Sequence, residues 1–196
     1  YEGLHTNAVL GFLNIIFKII DEEQPTNMCV AFDVKQPTFR HLMYKEYKGT
    51  RKPMPDELRE QVPLIKEVLT AMNITIIEKG GYEADDIIGT LSRIADKDGY
   101  KVVIVSGDRD LLQLATDNIL VRIPKTKAGG TTVENYYAAD VQELYGVTPV
   151  QFIDMKGLMG DTSDNIPGVP GIGEKTAGKI IQEWKSIDNA LEHIDE

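Results

Sequence analysis

Apolar positions recur at helical spacing near the start of the chain, where Val9, Leu10, Leu13, Phe17 and Ile20 predict an amphipathic helix over about Thr6 to Ile20, with Thr6 as its N-cap. After Pro25 the pattern becomes a continuous apolar run, Met28 to Phe32, which ends in Asp33 and has the length of a buried parallel strand. A helix over about Asp56 to Met72, interrupted or restarted at Pro63, precedes a second buried strand at Ile74 to Ile77. Gly80-Gly81-Tyr82-Glu83-Ala84-Asp85-Asp86 opens a helix with Ile87, Leu91, Ile94 and Ala95 on one apolar face, and Gly99 stops it. Val102 to Val105 and Asn118 to Ile123 read as two further strands, and Gly129-Gly130 as a hairpin turn between short strands. Beyond about Tyr136 the strands stop: helical patterns at about 139–145, 149–159, 174–185 and 187–194 surround a loop from Gly160 to Gly173. Strands alternating with helices predict a doubly wound α/β sheet over about 1–136, followed by a small helical subdomain over 137–196.

One stretch fits neither period. Residues 35–55 carry Arg40, Lys45, Lys48, Arg51 and Lys52 against a single acid, Glu46, with three prolines and few core formers. They read as an exposed basic excursion, in which Tyr44 and Tyr47 offer rings that stack on unpaired bases.

Composition narrows the class. With 42% hydrophobic and 27% charged residues the chain is an ordinary folded one. It has neither 18 uninterrupted apolar residues nor a basic-then-apolar leader, so a cytosolic soluble protein without a membrane span is expected. The lone cysteine, Cys29, excludes an intramolecular disulfide and a Cys-rich zinc site, and its apolar run predicts a buried, inert thiol. Twenty-one Lys and Arg against 31 Asp and Glu leave a net charge of −10, which argues against a polyanionic partner unless the acids are concentrated in one place.

The pattern does concentrate them. In open parallel sheets the functional crevice lies beyond the C-terminal ends of the strands. Asp33 and Asp108 each end a strand, while Glu83, Asp85 and Asp86 open a helix that follows one. Alone, each group has an ordinary explanation as a helix cap or a complement to a helix dipole. Together they would repel one another strongly unless something positive neutralised them, and oxygen ligands without nearby His or Cys suit hard divalent cations such as Mg²⁺ or Mn²⁺. A two-metal phosphodiester site is the expectation. The loop Gly160-Asp161-Thr162-Ser163-Asp164-Asn165 adds two carboxylates, although the same composition also makes an ordinary turn. Gly168 to Ala177 forms a glycine hairpin that opens a helix; it lacks the Gly-Lys-Ser/Thr ending of a P-loop and fits a helix–hairpin–helix contact to a DNA backbone, or else a plain glycine turn. His5, His41 and His193 show no triad spacing with a Ser or Cys. A phosphoacceptor receiver domain also uses an acidic pair and a strand-end Asp, but it leaves the Asp161/Asp164 loop and the glycine hairpin unexplained.

In Ala31-Phe32-Asp33, the Phe39-Arg40-His41 to Tyr47-Lys48-Gly49-Thr50-Arg51 stretch, Gly81 to Asp86, Ser106-Gly107-Asp108-Arg109-Asp110 and Gly160 through Ala177, the chain resembles the 5′ nucleases, in particular the 5′→3′ exonuclease, flap-endonuclease-like domains of bacterial DNA polymerases. The resemblance implies a PIN-like doubly wound, mostly parallel sheet with a C-terminal helix–three-turn–helix subdomain, acting in replication and repair on DNA with 5′ ends, flaps or nicks and on RNA primers. It implies a metal cluster of Asp33, Glu83, Asp85, Asp86, Asp108, Asp110, Asp161 and Asp164 holding two Mg²⁺ or Mn²⁺ ions. Catalysis would rest on Asp33, Asp86 and Asp108, with Lys48 and Arg51 in an arch near the scissile phosphate. DNA contacts are implied for Arg40, Tyr47, Lys48, Arg51, Lys52, Gly168, Gly171, Gly173, Lys175 and Thr176, with K⁺ held at the hairpin. A polymerase domain in the same polypeptide and a cytoplasmic, nucleoid-associated activity are implied as well. The family begins with a strand ending in a further metal-binding Asp; here Tyr1 stands without it, so that strand and ligand are expected to be missing, and the alternative is a catalytically incomplete, DNA-binding fragment of the same domain. The eight acids assigned to the cluster account for all but −2 of the −10, and residues 40–52 carry five cations and one acid.

Overall fold

The structure, a computed structural model, describes residues 3–127 and 130–194, with the backbone alone at 126, 127, 130 and 131. In chain order the elements are α1 (Asn7–Glu23), β1 (Cys29–Ala31), α2 (Phe39–Met43), α3 (Asp56–Arg59), α4 (Gln61–Ala71), β2 (Thr75–Ile77), α5 (Ala84–Lys97) and β3 (Val102–Val105). A 3₁₀ helix (Arg109–Leu114) follows, then β4 (Ile119–Lys127), β5 (Gly130–Tyr136), α6 (Ala138–Tyr145), α7 (Pro149–Met159), β6 (Gly160–Asp161), β7 (Ile166–Pro167), α8 (Glu174–Trp184) and α9 (Ile187–Glu192). The chain divides into two compact units, Tyr1–Phe39 with Arg51–Ile87, and Arg40–Thr50 with Ile88–Glu196.

In the first unit β1 and β2 pair in parallel, Val30 opposite Ile76, through a crossover that contains α3 and α4. The predicted break near Pro63 falls just ahead of it, between Arg59 and Gln61. Pro63 therefore lies in the first turn of α4, where its missing N–H leaves no intrahelical bond unmade. Thr6 precedes α1 but makes no side-chain cap. The first amides of α1 are taken instead by the buried Gln61, whose Oε1 accepts from Ala8 N at 2.7 Å and from Val9 N at 3.3 Å. A partner 53 residues away thus replaces the local cap that the sequence predicted. Ile16, Ile65 and Leu69 are buried in this unit. Cys29 corrects an expectation: it is exposed at the first position of a three-residue strand, because β1 begins one residue later than the apolar run and its first side chain faces outward. What burial its sulfur retains still pushes the thiol above its ordinary value.

The second unit holds the larger core. β3 pairs in parallel with β4, Ile104 opposite Val121, and β4 pairs antiparallel with β5, Val121 opposite Tyr136. β4 runs on to Lys127, beyond the predicted end at Ile123, because β5 gives it a hairpin partner along its length. Of the predicted turn, Gly129 lies outside the described residues. Ile104, Leu111, Leu112, Ile119, Val121, Phe152, Met155 and Ile181 are buried in one cluster, so strands and C-terminal helices share a single core. On α5 the buried stripe is set one position off the expected one. Ile88 packs against the core and Ser92 is buried, whereas Ile94 is 52% exposed. Two short strands, β6 and β7, stand in the loop where none was predicted, joined by the pair Asp161 opposite Ile166.

Candidate functional site

The acids of the first unit gather at the N-terminus of α5. Asp33 follows β1, and its Oδ1 accepts from the backbone N–H of Ala84 at 2.7 Å. Asp86, in the first turn, accepts from Glu83 N at 2.9 Å, and Asp85 stands beside it. The first turn of a helix leaves amides without intrahelical partners and carries positive partial charge, which is why carboxylates settle there. The capping explanation is therefore realised in the structure. It does not exhaust Asp33, whose carboxylate has about four acceptor sites, one of them taken by the Ala84 amide.

In the second unit two of the acids meet at a lysine. Asp108, in the turn after β3, caps the 3₁₀ helix, its Oδ1 accepting from Asp110 N at 2.8 Å. Asp161, at the end of β6, accepts through Oδ1 from Ser163 N and Ser163 Oγ, both at 2.7 Å, and from Asp164 N at 3.1 Å. Between these segments the ammonium of Lys156, from α7, lies 3.0 Å from Asp110 Oδ1 and 2.9 Å from Asp161 Oδ2. One cation serves unequal partners. Burial opposes ionisation of Asp161, but the Lys156 ammonium and the Ser163 and Asp164 donors outweigh it and hold the carboxyl well below the ordinary range. Asp110 moves the other way: burial raises it, Lys156 draws it down, and the neighbouring charges of Asp108 and Asp161 push it back up. Burial likewise opposes the charge of Lys156, and its two carboxylate partners raise it above the usual lysine value. Lys156 is not singled out by the sequence pattern, since within the helical stretch at 149–159 it is one more polar position.

The basic excursion divides. Arg40 to Thr50 belongs to the second unit, and Arg51 and Lys52, both exposed, to the first. Tyr47 is not the exposed ring that the sequence predicted. It is 5% exposed, meets His41 edge-on at 5.1 Å, and donates its hydroxyl to Asp164 Oδ2 at 3.0 Å. Beside it Lys48 takes a left-handed backbone, φ 55°, with its N–H donating to the Asp164 carbonyl at 2.8 Å and its ammonium 5.0 Å from the Tyr47 ring. Asn165 Nδ2 donates to the Glu46 carbonyl at 2.8 Å, so the cation-bearing turn is tied directly to the Asp161–Asn165 loop. Arg109, between Asp108 and Asp110 in sequence, bonds Tyr145 and Glu134 at 2.8 and 2.7 Å and braces the hairpin.

The glycine loop splits in the same way. Gly168 and Gly160 meet backbone to backbone: a Cβ built on Gly168 would lie 2.3 Å from the Met159 carbonyl and 2.6 Å from Gly160 N. Gly171 (φ 83°) and Gly173 are open to solvent, and Gly173 leads into α8, where Lys175 and Thr176 stand exposed in the first turn.

Among the described residues no group of three His, Cys, Asp or Glu side chains stands ready to hold a metal ion. The donor chemistry nevertheless fits a hard divalent cation. In the second unit, oxygen ligands from two chain segments already share one positive charge, in the form of Lys156. Two of the three histidines are engaged elsewhere, His41 with Tyr47 and His193 stacked on Trp184 at 4.6 Å. No helix among the described residues is long and apolar enough to cross a membrane.

Comparison with known proteins covers the whole chain. Residues 1–146 match the family described as "5'-3' exonuclease, N-terminal resolvase-like domain", and residues 147–196 that described as "5'-3' exonuclease, C-terminal SAM fold". DNA polymerase I of Bacillus subtilis is 56% identical over 195 residues, covering 100% of this chain; the chain spans 22% of that polymerase's length. A crystal structure of a bacteriophage T5 protein co-crystallised with metal ions aligns with a TM-score of 0.76 at 26% identity, covering 93% of this chain and 70% of its own. A bacteriophage T5 flap endonuclease in a pseudo-enzyme-product complex with DNA and metal ions aligns at 0.77 with 24% identity, covering 96% and 73%.

Proposed function

Because the chain belongs to the 5'-3' exonuclease family, with a resolvase-like α/β domain followed by a SAM-like helical one, we propose that it hydrolyses phosphodiester bonds at the 5′ ends, flaps or nicks of DNA and in RNA primers, with Mg²⁺ or Mn²⁺ as cofactor. The observation that carries this reading is the pairing of Asp110 and Asp161 with a single cation, with the charge of Asp108 beside Asp110, in a chain that matches the family along its length. Asp33, Glu83, Asp85, Asp86, Asp108, Asp110, Asp161 and Asp164 are the residues that would hold two ions. Such ions act as Lewis acids toward a phosphodiester and neutralise the charge that develops on it. The protein's own groups do the rest. Lys48 and Arg51 offset negative charge on the reacting phosphate. Arg40, Tyr47 and Lys52 bind substrate alongside them, and the amides of Gly168, Gly171, Gly173, Lys175 and Thr176 take a duplex backbone, with K⁺ held at the hairpin. We also propose that a polymerase domain accompanies this chain in one polypeptide and that both act at the cytoplasmic nucleoid, as the DNA polymerase I relatives support.

The direct test offers the purified chain a 5′-labelled flap duplex with Mn²⁺, with Mg²⁺, or with chelator. Release of the 5′ fragment with either metal and none with chelator is expected. Binding of the flap without cleavage in Mn²⁺ would leave a DNA-binding module and remove the nuclease reading. Lys48→Ala is expected to lower kcat by about a hundredfold, the lower end of the scale for one preorganised electrostatic group at a reacting centre, while the thermal melt stays within about 0.5 kcal/mol of the parent. An unchanged kcat would take Lys48 out of the mechanism.

A further inference from the structure

Lys156 has been given no catalytic or substrate-binding role, yet it occupies the place of a cation. Its ammonium bridges Asp110 Oδ1 and Asp161 Oδ2, which come from the 3₁₀ helix after β3 and from β6, and its side chain is 25% exposed. Two carboxylates assigned to a divalent ion are thus joined by a monovalent charge supplied by the fold. Both oxygens lie within hydrogen-bond distance of Nζ. An ion bound to both carboxylates would put like charge against the ammonium at close range, so the two cations exclude each other.

We propose that Lys156 is a resident counter-cation: it holds the Asp110 and Asp161 segments together when metal is absent, and an incoming divalent ion must displace it. The proposal rests on the metal assignment of those two aspartates, and it makes Lys156 a positioning residue that sets metal affinity. Exchange of one charge for another keeps the acidic segments from separating by repulsion in the metal-free protein. It also weakens metal binding, since the departing ammonium loses two charge-assisted bonds.

Calorimetric titration of Mn²⁺ into the full chain, with no DNA present, tests this directly. Lys156→Met, which keeps the aliphatic stem, is expected to bind Mn²⁺ about tenfold more tightly than the parent, and Lys156→Arg to return the affinity to the parental value. Equal or weaker binding by Lys156→Met overturns the proposal. A second measurement needs no variant: the rate at which Lys156 is acetylated in the parent protein, read by mass spectrometry, should rise several-fold on adding Mn²⁺. An unchanged rate at saturating metal overturns the proposal equally. Because neither readout involves cleavage, a chain that shows the affinity shift but cuts no flap refutes the nuclease reading alone. If neither parent nor variant binds Mn²⁺, the metal assignment falls and the exchange falls with it.

Discussion

Asp108→Asn is expected to lower cleavage of a 5′ flap by about a hundredfold to a thousandfold, the cost of removing one preorganised electrostatic group at a reacting centre. Asparagine is the informative choice. The Asp108 carboxylate already accepts from Asp110 N at 2.8 Å as the cap of the 3₁₀ helix. Alanine would therefore remove both a charge and a cap worth about 1 kcal/mol, confusing a chemical role with a structural one. Asn caps about as well as Asp, so the melting curve of Asp108→Asn should overlay the parent's, and affinity for flap DNA should hold or rise as a negative charge leaves. A variant that melts normally, binds the flap and cuts at the parental rate would take Asp108 out of the chemistry. Asp86 poses the same question at the first unit's acidic group, since its carboxylate likewise accepts from a backbone amide, Glu83 N.

The second large effect is on stability. Gly168→Ala places a methyl group 2.3 Å from the Met159 carbonyl carbon and oxygen and 2.6 Å from Gly160 N. All of these are backbone atoms, so relief requires parting β6 from β7 rather than turning a side chain. A loss of about 2–4 kcal/mol is expected, the range for severe overpacking. Gly171→Ala is the matched control: its φ of 83° strains an L-residue, but no atom lies within 4 Å of the added carbon, and about 1 kcal/mol is expected. Urea unfolding measures both. Equal midpoints for the two variants would mean that the Gly160–Gly168 approach is not a close one.

Some of this was legible in the chain and some was not, for identifiable reasons. Asp33 and Asp108 could be placed because each ends an apolar run, and the period of a strand fixes where its C-terminal edge falls. The acids at α5 could be placed because glycines precede them and an apolar stripe follows. The exact stripe was less legible. Ile87, Ile88, Leu91 and Ile94 lie on one broad apolar face, and packing turned it toward the edge through Ile88 and Ser92. Long-range partnerships left no local trace. The cap of α1 comes from Gln61, the bridge between Asp110 and Asp161 from Lys156, and the partner of the Tyr47 hydroxyl from a loop 117 residues on. Tyr47 therefore read as an exposed ring among cations, since nothing nearby in sequence announces the neighbours that bury it.

That last separation bears on how the chain acquires its structure. The first unit draws on residues up to Ile87, so its strands and helices can close once that much chain is available. Arg40–Thr50 lies inside that span yet packs with residues synthesised far later. It must stay an open loop, with Tyr47 in water, until the Asp161–Asn165 turn exists to receive it. Contacts of such long range form late, because the entropy of closing the intervening chain is spent before they return anything. The cation-bearing turn would thus be among the final parts to order during folding, and among the first to open when the folded protein breathes.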